Sequence, residues 1–158
     1  MKSFAVLLVL AFASCAGQKP IQRIPFPQSE YDALPKKGTA IVRGQAFLKT
    51  IGGDVKKAAG EMVLLNPVTS YSQQWFDVVY WRNGSLTDQD PSYMQYVRTT
   101  VADAEGRFTF KEVPAGRYFL TTRIVWGVPT RGGLAYQGGY VAKQITVVDG
   151  EMEIILTK

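Results

Sequence analysis

The chain has 158 residues, 46% of them hydrophobic, which suits one domain with a real core rather than two. Its 18 Lys and Arg against 13 Asp and Glu give a net charge of +5, too mild and too scattered for the basic stripe that a nucleic-acid partner needs. Histidine is absent, which removes the commonest general base and the commonest zinc ligand, and a single cysteine rules out an internal disulfide.

From the N-terminus, residues 1–14 read as a signal peptide. Lys2 supplies a charged start, Phe4–Phe12 an apolar run too short to span a bilayer, and Ala13-Ser14 the small residues before a cut. Cys15 comes directly after them. Phe12-Ala13-Ser14-Cys15 resembles a bacterial lipobox, with Phe where Leu is usual, and this implies diacylglyceryl transfer to the Cys15 thiol and acylation of its amine after cleavage. Several acyl chains, at about 0.8 kcal/mol per buried methylene, would hold the protein on a membrane indefinitely. The alternative is an ordinary signal peptide, or an apolar cytosolic start, with a stray cysteine. Ala16 and Gly17 follow the cysteine, with no Asp there; for a chain that resembles proteobacterial lipoproteins this implies the outer membrane, on its periplasmic side. No other segment approaches about 18 apolar residues, so the expectation is an anchored protein and not a spanning one.

Residues 15–37 form the lipidated cysteine and a tether. Pro20, Pro25, Pro27 and Pro35 without sustained periodicity predict an extended, loosely held segment, of which part of Tyr31–Leu34 lies on the domain. Residues 38–158 are the domain. In Thr39–Leu48, a strand, Val42, Ala46 and Leu48 fall on one side and Ile41, Arg43, Gln45 and Phe47 on the other, and Gly44 marks a bulge or a close strand contact. Gly52-Gly53-Asp54 is a turn or flexible loop. Glu61–Leu65 is a second strand, stopped by Asn66-Pro67.

Val68–Tyr93, 26 residues, is longer than a bare connection in a compact sandwich. Within Tyr71–Tyr96 seven aromatics (Tyr71, Trp75, Phe76, Tyr80, Trp81, Tyr93 and Tyr96) fall in 26 positions, against 12% for the whole chain. Ser72 as an N-cap and Asn83-Gly84 as a stop predict a short helix over Ser72–Arg82, although Phe76–Trp81 also has strand propensity.

The stretch Thr99–Leu120 is the organising element of the chain. Val101 leads into a turn built by Asp103 and Gly106, Phe108 and Phe110 alternate with polar residues, and Pro114-Ala115-Gly116 turns the chain again before Tyr118 and Leu120. Two strands with tight turns read as a hairpin nucleus. The residues Thr100, Asp103, Gly106, Phe108, Phe110, Val113, Pro114, Gly116, Tyr118 and Leu120 resemble the core motif of carboxypeptidase regulatory-like domains. That resemblance implies an all-β, seven-stranded transthyretin-like (Greek-key) β-sandwich over 38–158 and, as such domains in general are not catalytic, a non-enzyme.

Beyond it, Tyr118–Val128 continues as a long strand, and Pro129–Gly139, with four glycines, is a loop carrying Arg131, Leu134 and Tyr136. Tyr140–Val148 and Glu151–Leu156 form a last hairpin across Asp149-Gly150, with Ile145, Val147, Ile154 and Leu156 facing inward. About seven strands with short turns are a sandwich signature in their own right.

Chemistry is sparse. Asp88/Asp90 and Asp103/Glu105 are carboxylates two apart that could hold calcium or act as acid and base, but Asp103 reads as a turn former, Glu105 as solvated and Asp88/Asp90 as a loop end before Pro91. The serines have no histidine to activate them, and the paired glycines lack a following helix to present to a phosphate. No cofactor or metal is expected. The aromatic insert is the stretch with functional content. Trp75, Phe76, Tyr80, Trp81 and Tyr93, together with Arg131 and Tyr136, are the candidate binding residues, against the plainer reading that these rings cap the sandwich. The expected role is a membrane-anchored protein-binding or assembly module with an envelope protein partner. A module for peptidoglycan or polysaccharide is the alternative, favoured by exposed, coplanar Trp75 and Trp81, and a hydrolase using Asp88/Asp90 is a distant third.

Overall fold

The structure, a computed structural model, describes residues 19–158; the expected signal peptide and Cys15 lie outside the described residues. Alternation at period two builds the first strand, β1 (Ala40–Lys49), with Ala40, Val42, Ala46 and Leu48 buried. Gly44 sits where strands approach closely: a Cβ there would lie 2.2 Å from the Ile154 carbonyl oxygen and 2.5 Å from the Phe108 ring. β2 (Val55–Lys57) pairs antiparallel with the C-terminal end of β1. In the same sheet β5 (Arg107–Val113) pairs antiparallel with β1, and β8 (Glu151–Leu156) pairs parallel with it.

The second sheet is antiparallel, in the order β4 (Arg98–Val101), β3 (Met62–Pro67), β6 (Gly116–Thr130) and β7 (Gly133–Val147). One core joins the two sheets, with Val42, Phe108 and Phe110 from the first and Val63, Leu65, Leu120 and Val141 from the second. The fold is therefore all-β. The described residues form eight strands, where the sequence predicts about seven; β2, just after the Gly52-Gly53 turn, is the addition.

Three pairings differ from the sequence expectation. The Thr99–Leu120 stretch is not a hairpin: β4 and β6 belong to one sheet and β5 to the other, so each of its turns carries the chain across the core. Asp103 Oδ1 accepts from the Glu105 and Arg107 backbone N–H groups at 2.8 Å and closes the first crossing. At the second, Tyr118 Oη donates to the Pro114 carbonyl at 2.9 Å, which ties the corner from the strand that leaves it. Nor is Pro129–Gly139 a loop. β6 and β7 pair continuously from Gly116↔Val147 to Thr130↔Gly133, leaving only Arg131-Gly132 as the turn. Finally, β7 and β8 do not pair across Asp149-Gly150; that turn changes sheets, and β8 joins β1. Ile145, Val147, Ile154 and Leu156 are buried in the core as expected.

The insert and the N-terminal segment cover the outer face of the second sheet. A helix is present, beginning earlier than Ser72 would cap it. α2 (Ser70–Trp75) is preceded by Thr69, whose Oγ1 accepts from the Ser72 N–H while Ser72 Oγ accepts from the Thr69 N–H, a reciprocal capping box. It continues into a π-helical turn, Phe76–Trp81, and Asn83 at φ 51° ends it. The π turn sets Phe76 flat on Phe119, with centroids 4.4 Å apart, so the segment lies on a sheet face and not along an edge.

Part of Tyr31–Leu34 lies on the domain as expected, with Tyr31 buried, but docking already begins at Ile21, contrary to the loosely held tether. Ile21 bridges to Leu86, and the Arg23 Nε donates to the Thr87 carbonyl at 2.8 Å. In α1 (Gln28–Asp32), Tyr31 is fully buried, stacks on Phe26 at 4.7 Å and accepts a hydrogen bond from Thr69 Oγ1 at 2.9 Å. Prolines in this segment reduce the entropy lost on docking as well as excluding regular structure, which is why they do not by themselves mean a free tether.

Candidate functional site

Because Val63, Leu65, Leu120 and Val141 face the core, the alternation of β3, β6 and β7 sends Met62, Leu64, Asn66, Thr121, Arg123 and Tyr140 to the outer face. The roof over part of that face comes from three separate segments: Trp75 ends α2, Tyr93 and Met94 lie on a 3-10 turn (Pro91–Tyr96), and Arg23 belongs to the N-terminal segment. Floor and roof enclose a cleft of about 310 Å³. Trp75 meets Tyr140 edge to face at 5.3 Å, and Arg123 lies over the same Tyr140 ring at 5.8 Å. The Arg23 guanidinium sits 5.2 Å from a different ring centre, that of Tyr71.

Asn66 is the chemically unusual member. It is buried, and its Nδ2 donates to Tyr93 Oη, while its Oδ1 has no hydrogen-bond partner among the described residues. Turning the amide over exchanges the problem and does not remove it, since Nδ2 would then be the unmatched atom. An unmatched buried amide atom costs about 1–3 kcal/mol. Burial pushes the Tyr93 phenol well above its ordinary range, so it stays protonated and keeps a donor beside the amide.

The predicted residues divide into groups. Trp75 and Tyr93 line the cleft. Phe76 is consumed in packing against Phe119. Tyr80 and Trp81 lie beyond it near the C-terminus, with Trp81 67% exposed, and they share a shallow recess with Thr157 and Lys158. Trp75 and Trp81 therefore do not form one coplanar platform. Arg131 and Tyr136 are exposed at the far end of the β6–β7 arm and take no part in the cleft. Asp88 is exposed and Asp90 spends its Oδ1 accepting from the Ser92 N–H, while Glu105 pairs with Lys57 at 2.6 Å.

Sequence reasoning missed Arg23, Asn66 and Tyr140. Asn66 reads locally as a strand stop and Arg23 as tether. Tyr140 carries a usable signal: it is out of phase with Val141, Ile145 and Val147, the residues of its strand that join the core between the sheets, so a bulky ring there had to be exposed or covered by something else.

No family model matches the chain, and no curated protein matches it. A solved structure from Pseudomonas aeruginosa, described as that of a candidate carbohydrate-binding protein, is similar to it: 28% identical, with a TM-score of 0.77 over 86% of this chain and 99% of that one.

Proposed function

We propose that this protein is a non-catalytic carbohydrate-binding module that holds a glycan in the cleft between Trp75, Tyr93 and the outer face of β3, β6 and β7. One observation carries the reading: aromatic side chains, two arginines and the polar side chains of Asn66, Gln89 and Thr121 converge on one cleft of about 310 Å³. A sugar ring needs such a combination, apolar ring faces against its C–H surface and fixed polar groups for its hydroxyls. The similar Pseudomonas structure, described as a candidate carbohydrate-binding protein, supports it too. The preference for a protein partner over a glycan thus reverses. A protein-binding role remains the second reading, favoured by Leu134 and Tyr136, 62% and 75% exposed on the β6–β7 arm.

Around this module we keep the resemblance to carboxypeptidase regulatory-like, transthyretin-like domains, for which the Thr99–Leu120 residues are the support, and the envelope lipoprotein reading, for which Phe12–Cys15 are. Calorimetric titration with oligosaccharides tests the site. Trp75→Ala should weaken binding at least about tenfold, whereas Trp81→Ala, outside the cleft, should leave it unchanged. Equal effects of the two substitutions would remove the cleft from the account.

A further inference from the structure

The cleft carries an uncommitted charge. Arg23 and Arg123 are its two cations and Glu61 is the one acid that lines it, an excess of one positive charge; Arg23 also borders the adjoining recess that holds Asp88 and Asp90, with neither of which it forms an ion pair. The ion pairs among the described residues, Arg43–Glu151, Lys56–Asp54 and Lys57–Glu105, involve none of the three. Both guanidiniums are nonetheless held in place. Arg23 is fixed by the Tyr71 ring and by its Nε bond to the Thr87 carbonyl, Arg123 by the Tyr140 ring. Neither has a side-chain bond from its terminal nitrogens to another described residue, so those donors stay open.

A neutral sugar would not need this arrangement. Hydroxyls are served by Asn, Gln, Thr and Tyr, all present here, without the cost of keeping two like charges in one cleft. A planar guanidinium presents paired N–H groups that match the two oxygens of a carboxylate, and in a partly enclosed cleft such charge-assisted bonds are roughly twice as strong as neutral ones. We infer that the ligand is an acidic glycan, a chain containing uronic acid, whose carboxylates are taken by Arg123 and Arg23 while a neighbouring ring lies against Trp75. This rests on the carbohydrate-binding reading and narrows it.

The test pairs each acid with its own neutral form. Short oligomers of galacturonic and glucuronic acid, and the same oligomers with carboxyl groups reduced to primary alcohols, are titrated calorimetrically into the full-length protein at low salt. The acidic chain should bind about tenfold tighter than its reduced form. Arg123→Gln, and separately Arg23→Gln, should bring the ratio of acid to neutral affinity toward one, and added salt should do the same. Equal binding of acidic and reduced chains, or a preference that survives both substitutions, would overturn the acidic-ligand inference and leave the glycan reading intact. Binding of neither form would overturn both.

Discussion

Tyr31 shows how one side chain links the two halves of the roof. Its ring is covered by Phe26 and Tyr96, and its hydroxyl accepts from the same Thr69 oxygen that caps α2. Burial raises the phenol from 10.0 to about 12, partly offset by the Thr69 bond, which favours the ionised form. Because folding keeps this acid protonated, its contribution to stability is whole below pH 10 and is lost as the pH rises from 10 through about 12. Denaturant unfolding followed across that window should show falling stability, with a shallower fall in Tyr31→Phe. A fall identical in the two proteins would mean that the phenol is not held by the fold. Asn66 is the counterpart at the site, a residue that reads locally as a strand stop and whose unmatched amide no local reading could reveal.

The β6–β7 arm reads as a loop in sequence because of its glycines. Gly138 lies opposite Val125 with φ at 100°, and a Cβ on it would stand 2.1 Å from the Ile124 carbonyl oxygen and 2.8 Å from the Trp126 ring. The glycine is there so that the neighbouring strand and the indole can come close, one of the uses a strand has for glycine. Gly138→Ala should therefore cost about 1–3 kcal/mol in chemical denaturation. Gly132→Ala, at the turn with open space around it, should cost little. Similar small effects at both positions would argue that the strands do not pair this far out. The Thr99–Leu120 stretch is limited in the same way: its turns and its alternating Phe108 and Phe110 are legible in sequence, but a turn reverses the chain without choosing which sheet receives it.

At the scale of the whole molecule, docking of the chain from Ile21 onward alters the expected geometry of the anchor. Ile21, where the chain already pairs with Leu86, is only six residues beyond Cys15. Fully extended, six residues reach at most ~20 Å, so a lipid on Cys15 would keep the cleft close to a bilayer, well short of the tens of ångströms a free tether allows. On the lipoprotein reading, Cys15→Ser should move the protein from the membrane to the soluble fraction without changing its melting temperature, since the substituted residue precedes the docked segment. Retention at the membrane would remove the anchor.

Read alone, the sequence was enough for the class of structure and the faces of its strands. Period-two alternation, the Asp103 and Pro114 turns and the aromatic density of 71–96 depend on neighbours a few residues apart, and local chemistry fixes them. Strand partnership, the docking of the N-terminal segment and the cleft required the tertiary structure. Arg23, Asn66, Trp75, Tyr93 and Tyr140 come from five separate stretches of chain, and only the packing of those stretches on one sheet face brings them together.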